Sequence, residues 1–256
     1  VVHIFPGQGD FSLSPVLRAI HHQQGFKRHV KNVFEYVDDI ASRYGIEPLG
    51  GDLLGSNPPS DKDLLRRGPG AQQLAFFGIQ ISIHRGLCAM GFAPDRILGI
   101  SFGELAALTA SGLLHLQDGA RAAVRAARSL LHCSGGMTLL FASQNQVSDF
   151  IEITQSKKTI IACVNDVSEI IVSSPDTREL DCIEQEAAEV NVRSVRLPLN
   201  FCSHHPSLEA VAEDLAQQLK PTPLRPTTIP VYSAVHARPY VIGDDLHRLP
   251  CDSLVM

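Results

Sequence analysis

One turn constrains this chain more than any other stretch of it. Gly99-Ile100-Ser101-Phe102-Gly103 stands between a short apolar run over 96–99 and helical patterning over 104–111. Small residues let a chain pass sharply from an extended strand into a helix, and such a turn projects the serine hydroxyl clear of the backbone. The helix that follows aims its N-terminal dipole and its open N–H groups at the same place. A buried strand delivered into a helix in this way predicts an α/β fold. The five residues alone are a weak signal, and a serine there could simply cap a helix; the strand–turn–helix setting favours a nucleophile elbow.

The flanking segments fit that frame. An apolar run over 1–5 ends in Pro6-Gly7-Gln8-Gly9, the form of a buried strand entering a glycine-rich loop. Helical periodicity follows over 15–22 and 26–44, and the Gly- and Pro-rich stretch 47–70 reads as a linker-like loop. The segment 72–91 is apolar nearly all round, which predicts a helix inside a core. Another helix is expected over 118–131. From 136 onward the pattern changes to strand 137–142, helix 146–155, strands 159–164 and 169–173, helix 177–190 and strand 192–199. That β-α-β-β-α-β order is ferredoxin-like. It predicts a main α/β domain over 1–133 and 200–256 and an inserted α+β subdomain over 134–199. A helix over 206–219 and a strand over 231–235 return the chain to the main domain. Both ends of the sequence lie in apolar segments, so we expect a fragment of a longer polypeptide, with the C-terminal part of the main domain incomplete.

Composition removes several classes of function. The 256 residues are 44% hydrophobic and 19% charged, so the chain is globular and long enough to bury a real core. With 22 Lys+Arg against 27 Asp+Glu and no basic run with interleaved aromatics, a nucleic-acid partner is not expected. No apolar stretch has the length of a membrane span and no signal sequence is visible, which predicts a cytoplasmic protein with no membrane partner. The six cysteines are scattered without a CxxC pair, so they read as buried thiols of a reducing compartment rather than a disulfide or zinc framework.

A serine nucleophile needs a base, and eleven histidines compete for that role. His21, His22, His29 and His132 sit on charged or helix-end stretches, and His84 lies on the apolar helix as a core residue. His204 and His205 differ, because they open a helix directly after the last strand of the inserted subdomain.

Phe5-Pro6-Gly7-Gln8-Gly9, the elbow extended through Glu104-Leu105-Ala106-Ala107-Leu108, the ferredoxin-like insert and Cys202-Ser203-His204-His205-Pro206 resemble, in order and spacing, the acyl-CoA:acyl-carrier-protein acyltransferases of fatty-acid and polyketide synthesis, the malonyl transacylase family. The resemblance covers essentially the whole chain. It departs from the usual elbow at Ile100, where the family carries a histidine, so the pocket there is expected to be more apolar. Family members also continue beyond a segment like Arg238-Pro239 with another helix and strand.

The resemblance implies an α/β-hydrolase-like main domain with a parallel sheet. It makes Ser101 the nucleophile and His204 the base, with His205 a neighbour without a chemical role. A main-chain carbonyl from 230–234 would orient the histidine in place of an Asp. The N–H groups of Gln8 and Phe102 would form an oxyanion hole. Ile100, Ala126, Phe201 and Ser203 would line the acyl pocket. Ungapped alignment from Ser101 puts Ala126 where malonyl- and methylmalonyl-loading members hold a carboxylate-binding arginine; a one-residue deletion would instead put Arg125 there, and Arg128 is also near. Without the arginine, a buried carboxylate would stand unpaired, so an uncharged acyl group is expected.

The implied reaction is ping-pong transfer from an acyl-CoA or acyl-phosphopantetheine thioester through acyl-Ser101 to an acyl carrier protein, within a multidomain synthase and with no metal or bound cofactor. Alternatives are an acyl hydrolase that clears stalled carriers, a malonyl- or methylmalonyl-loading enzyme, a non-catalytic docking domain and a plain esterase. The last two fit poorly with the residues present.

Overall fold

The computed structural model describes residues 1–8, 12–241 and 243–255, so Gly9, the end of the glycine loop, lies outside the described residues. The chain forms two compact units, one of Val1–Leu131 with Leu215–Pro250 and the other of His132–Asp214 with Cys251–Met256.

The first unit is an α/β layer. Strands β1 (Val2–Phe5), β2 (Arg96–Gly99) and β7 (Val231–Ser233) are parallel, and the two-residue β8 (Arg238–Pro239) pairs antiparallel with β7. Helices α1 (Leu13–His21), α2 (Gln24–Arg43), α5 (Ala71–Ala89), α6 (Gly103–Ala110) and α7 (Leu116–Ser129) supply most of the core. As its apolar pattern predicts, α5 is buried on nearly every side: Leu74, Phe77, Ile79 and Ile81 are inaccessible or almost so. Each such side chain contributes about 1.5–3 kcal/mol by leaving water. α2 is amphipathic instead and buries Val30, Val33, Phe34, Val37 and Ile40 along one stripe.

The stretch 47–70 is not the open loop that its glycines and prolines suggest. It contains the short helices α3 (Gly50–Leu53) and α4 (Asp61–Arg66). Side chains supply what composition withholds. The Asp38 carboxylate on α2 accepts from the N–H groups of Leu49, at 2.7 Å, and Gly50. Ser60 and Asp63 form a reciprocal capping box at the start of α4.

In the second unit, β3 (Gly136–Leu140), α8 (Gln144–Ile153), β4 (Ile160–Asp166), β5 (Glu169–Ser174), α9 (Thr177–Glu189) and β6 (Ser194–Arg196) follow the order expected from sequence. The sheet runs β4-β5-β3-β6, antiparallel throughout. Val147, Phe150, Leu180 and Ile183 from the helices pack on Leu140, Ile170 and Val172 from the sheet. Arg196 on β6 reaches Glu184 at 2.7 Å and Asp181 at 2.8 Å, tying the edge strand to α9. After β6 the chain has no regular structure until a 3-10 turn at Pro206–Leu208, which leads into α10 (Glu209–Leu219). A final short helix, α11, spans Leu249–Asp252.

The cysteines depart from expectation. Only Cys202 and Cys251 are buried; Cys88, Cys133 and Cys163 are half-buried and Cys182 is exposed. Cys182 lies on the amphipathic α9, whose outward positions have no core to enter. No helix among the described residues is long and apolar enough to cross a membrane.

Candidate active site

Phe5 and Gly99 are register partners at the carboxyl ends of β1 and β2, so the glycine loop and the elbow leave the sheet side by side. This is the end of a parallel sheet at which α/β proteins build their sites. The Ile100 N–H donates to the Phe5 carbonyl at 2.9 Å. Two tight turns then start α6, with the Gly103 N–H on the Ile100 carbonyl and the Glu104 N–H on the Ser101 carbonyl, each at 2.9 Å. Gly103 is forced by sterics: a Cβ there would fall 2.0 Å from the Phe5 carbonyl oxygen. Gly7 marks how near the loop comes, since its Cβ would stand 3.2 Å from that of Ser101.

Ser101 holds φ +51°, in the left-handed region that side chains other than glycine rarely enter. Five non-glycine residues among those described do so. Gln155 and Asn191 lie just beyond the ends of α8 and α9, and Ala237 sits in the turn between β7 and β8. These are ordinary places for a positive φ. Ser101 and His204, at φ +54°, have neither explanation. Backbone held in this region costs of order 1–3 kcal/mol and clusters at functional sites.

Beside the elbow, α5 holds the loop that carries Gln8. The Gln80 side-chain amide donates to the Pro6 carbonyl at 2.9 Å, and Gln73 Nε2 donates to Gln8 Oε1 at 3.1 Å. The two glutamines are two turns apart on one helix face. Phe102 precedes α6 at its N-cap, so its N–H lies ahead of the intrahelical ladder. Ile100 is 38% exposed, an apolar side chain open to solvent at the turn.

Glu104, next after Gly103, is 1% exposed and accepts hydrogen bonds from the hydroxyls of Ser233 and of Tyr240, the latter at 2.7 Å. Burial pushes its carboxyl above the ordinary 4.5, while the two hydroxyls and His236 pull the other way. Glu104 thus fastens the start of α6 to β7 and the segment after β8. The stretch 230–234, expected to offer a carbonyl, forms β7 in the first unit, and its Ser233 side chain serves Glu104.

Ala126 is buried on α7. Arg125 directs its guanidinium to the Tyr44 hydroxyl at 3.3 Å and to the Gln218 carbonyl. Arg128 bonds the Tyr44 carbonyl and lies 4.9 Å from the centre of the Tyr44 ring. Both arginines are therefore engaged with Tyr44.

In the second unit, Phe201 is half-buried and Ser203 and His205 are buried. His205 has a definite structural task beside His204. Its Nδ1 accepts from the Ser207 N–H at 3.0 Å and its Nε2 lies 2.9 Å from the Lys158 carbonyl, so the ring caps the 3-10 turn and ties it to the start of β4. Its own N–H donates to the Leu254 carbonyl at 3.0 Å.

Residues 3–247 match the model of the family described as "Acyl transferase domain". This chain belongs to that family. Among curated relatives, this acyl transferase domain is 28% identical over 246 residues to erythronolide synthase EryA3 of Saccharopolyspora erythraea, covering 92% of the chain and 7% of the relative. It is 25% identical over 208 residues to the conidial yellow pigment biosynthesis polyketide synthase of Emericella nidulans, covering 81% of the chain and 9% of the relative. The domain therefore spans under a tenth of those two relatives. Among solved structures it superposes on the malonyl CoA-acyl carrier protein transacylase of Coxiella burnetii with a TM-score of 0.83, at 20% identity, over 99% of this chain and 78% of that one. The acyltransferase domain from module 8 of the salinomycin polyketide synthase gives 0.77 at 23% identity, over 99% and 58%. These superpositions show the fold: the acyl transferase domain has the α/β architecture with a ferredoxin-like part.

Several residues that shape this domain's elbow carry no local motif. Gln73 and Gln80 lie on a largely apolar helix that also carries Gln72, Ser82, His84 and Arg85, so the sequence alone does not single them out. Ser233 and Tyr240 are separated from Glu104 by well over a hundred positions, and nothing in the sequence joins them.

Proposed function

We propose that this acyl transferase domain carries an acyl group from an acyl-CoA or acyl-carrier thioester to the phosphopantetheine thiol of an acyl carrier protein, by way of an acyl-Ser101 ester. The observation that carries the reading is Ser101 at positive φ in a strand–turn–helix packed against the glycine loop. Ser101 Oγ attacks the thioester carbonyl while His204 takes its proton. The N–H groups of Gln8 and Phe102 stabilise the tetrahedral oxyanion, each worth about 2.7–4 kcal/mol by analogy with serine hydrolases. The leaving thiolate takes the proton back from His204, and the carrier thiol then repeats the sequence in reverse.

Ile100, Ala126, Phe201 and Ser203 line the acyl pocket in this proposal. An uncharged acyl group is the preferred cargo. Support comes from Ala126 at the position of the carboxylate-binding arginine and from the engagement of Arg125 and Arg128 with Tyr44 and Gln218. A carboxylate left unpaired in a desolvated site costs about 3 kcal/mol or more, which is roughly a hundredfold in rate. The relatives' names, polyketide synthases among them, support a place in a larger synthase; in this proposal that synthase is cytoplasmic and acyl transfer uses no bound cofactor or metal. Within it the main domain is 1–133 with 200–256, and the ferredoxin-like subdomain is 134–199.

The test compares acetyl-, butyryl- and malonyl-thioesters as donors to a carrier protein. Uncharged donors should exceed malonyl by about a hundredfold in kcat/KM, and Ala126→Arg should narrow the gap. Malonyl used as well as acetyl would overturn the preference. Release of free acid without labelled carrier would replace transfer with hydrolysis.

A further inference from the structure

We propose that His3, His84 and Cys88 form a binding site for one zinc-like metal ion, separate from the elbow. His3 lies on β1, while His84 and Cys88 stand one turn apart on α5 and so share a helix face. The fold brings together residues that the sequence keeps 81 positions apart. His3 Nδ1 and His84 Nδ1 are 2.8 Å apart, and His84 Nε2 is 3.8 Å from Cys88 Sγ. One donor atom from each of the three lies within 4.8 Å of the other two. Among the described residues this is the only group of three or more potential ligands so placed.

The donor set selects the ion. Two imidazole nitrogens and one thiolate suit Zn²⁺, whose bonds of about 2.0–2.1 Å to nitrogen and about 2.3 Å to sulfur place tetrahedral donors roughly 3.3–3.7 Å apart. The two short separations run to different nitrogens of His84, and with one donor atom from each residue the three lie within 4.8 Å, so modest side-chain rotation closes them to that span. His84 and Cys88 are only half-buried and can turn their side chains to bring one donor each to a common point with His3. Three protein ligands leave the fourth position for water.

A second observation concerns the other ring nitrogen of His3, not the one that faces His84. His3 is 7% exposed, and its Nε2 is buried with no hydrogen-bond partner. An unsatisfied buried nitrogen is unfavourable, and in a packed core an apolar side chain would avoid it. Binding would displace the Cys88 thiol proton to solvent and leave both imidazoles neutral. The ion would brace β1 against α5, the two elements between which the Pro6–Gln8 loop is held by Gln80 and Gln73.

The experiment loads the metal-free chain with Zn²⁺ and, separately, with Co²⁺ as a spectroscopic probe. The proposal expects one tightly held Zn²⁺ per chain and a thiolate-to-cobalt charge-transfer band in the near ultraviolet. Other histidine pairs would bind through imidazole alone and give no such band. Cys88→Ser should abolish the band, and both it and His84→Gln should weaken Zn²⁺ binding at least tenfold, the smallest loss seen even for outer partners of metal sites. In the unmodified chain, Zn²⁺ should also slow alkylation of Cys88, located by mass spectrometry, and leave the exposed Cys182 unaffected. Absence of the band, its survival in Cys88→Ser, or equal alkylation of Cys88 with and without Zn²⁺ would overturn the site.

Discussion

The Ser101 turn and the His204 turn hold their residues in the same rare backbone region, yet they are built by opposite means. Ser101 is determined by regular structure. A paired strand enters it, a helix leaves it, and Gly103 permits a contact with the Phe5 carbonyl that no other residue allows. His204 lies in a segment without regular structure between β6 and the 3-10 turn, and single polar contacts of its neighbours hold that segment: Cys202 N–H to the Ser134 carbonyl, His205 N–H to the Leu254 carbonyl and the His205 ring to Ser207 and Lys158. Strain at a serine can be maintained by close packing, whereas strain at a loop histidine depends on each bond that anchors it.

That contrast can be broken first at its stiffest point. Gly103→Ala should destabilise the chain by about 3 kcal/mol or more and remove activity altogether, because its Cβ collides with backbone that cannot yield. Chemical denaturation and an acylation assay measure both effects. A folded, active Gly103→Ala variant would mean that the elbow is looser than drawn. At the other turn, His204→Ala should lower the acylation rate by 10²–10⁴-fold while leaving the denaturation midpoint nearly unchanged, as expected for a general base. His205→Ala should show the reverse balance. Losing its ring hydrogen bonds to Ser207 and Lys158 should lower stability by about 1–3 kcal/mol, with a smaller effect on rate. If the rate losses of the two variants were exchanged, the base would be one residue further along.

The smallest effect concerns the strut beneath α6. Burial raises the Glu104 carboxyl above 4.5, so the folded state holds its proton more tightly than the unfolded state does. Its stabilising contribution is complete below the unfolded value and declines as pH rises through the folded one. The stability of the parent chain relative to Glu104→Gln should therefore fall as pH rises above about 4.5, as followed by urea denaturation. A difference that grows with pH would show that the Ser233 and Tyr240 hydroxyls outweigh burial.

The same contrast explains what could be read in advance. The elbow and the β-α-β-β-α-β unit are local patterns of glycines and hydrophobic period, and both appear where the sequence puts them. The helices α3 and α4 escaped because Asp38, on another helix, caps the first, and the Ser60–Asp63 capping box was masked by surrounding glycines and prolines. The exposed Cys182 shows that residue type alone is a poor guide to burial on an amphipathic helix. The positive φ of His204 has no signature in the sequence, and the bonds that hold its neighbours reach Leu254, Ser134 and Lys158, distant in the chain. The His3–His84 contact is equally silent until β1 is laid beside α5.

The most direct test of the central claim is to incubate the chain with an acyl-thioester, quench it in acid and map the added mass by peptide mass spectrometry. The account predicts one acyl group, on Ser101, and none in Ser101→Ala. Labelling that persists in Ser101→Ala, or that maps to a cysteine or another serine, would contradict it.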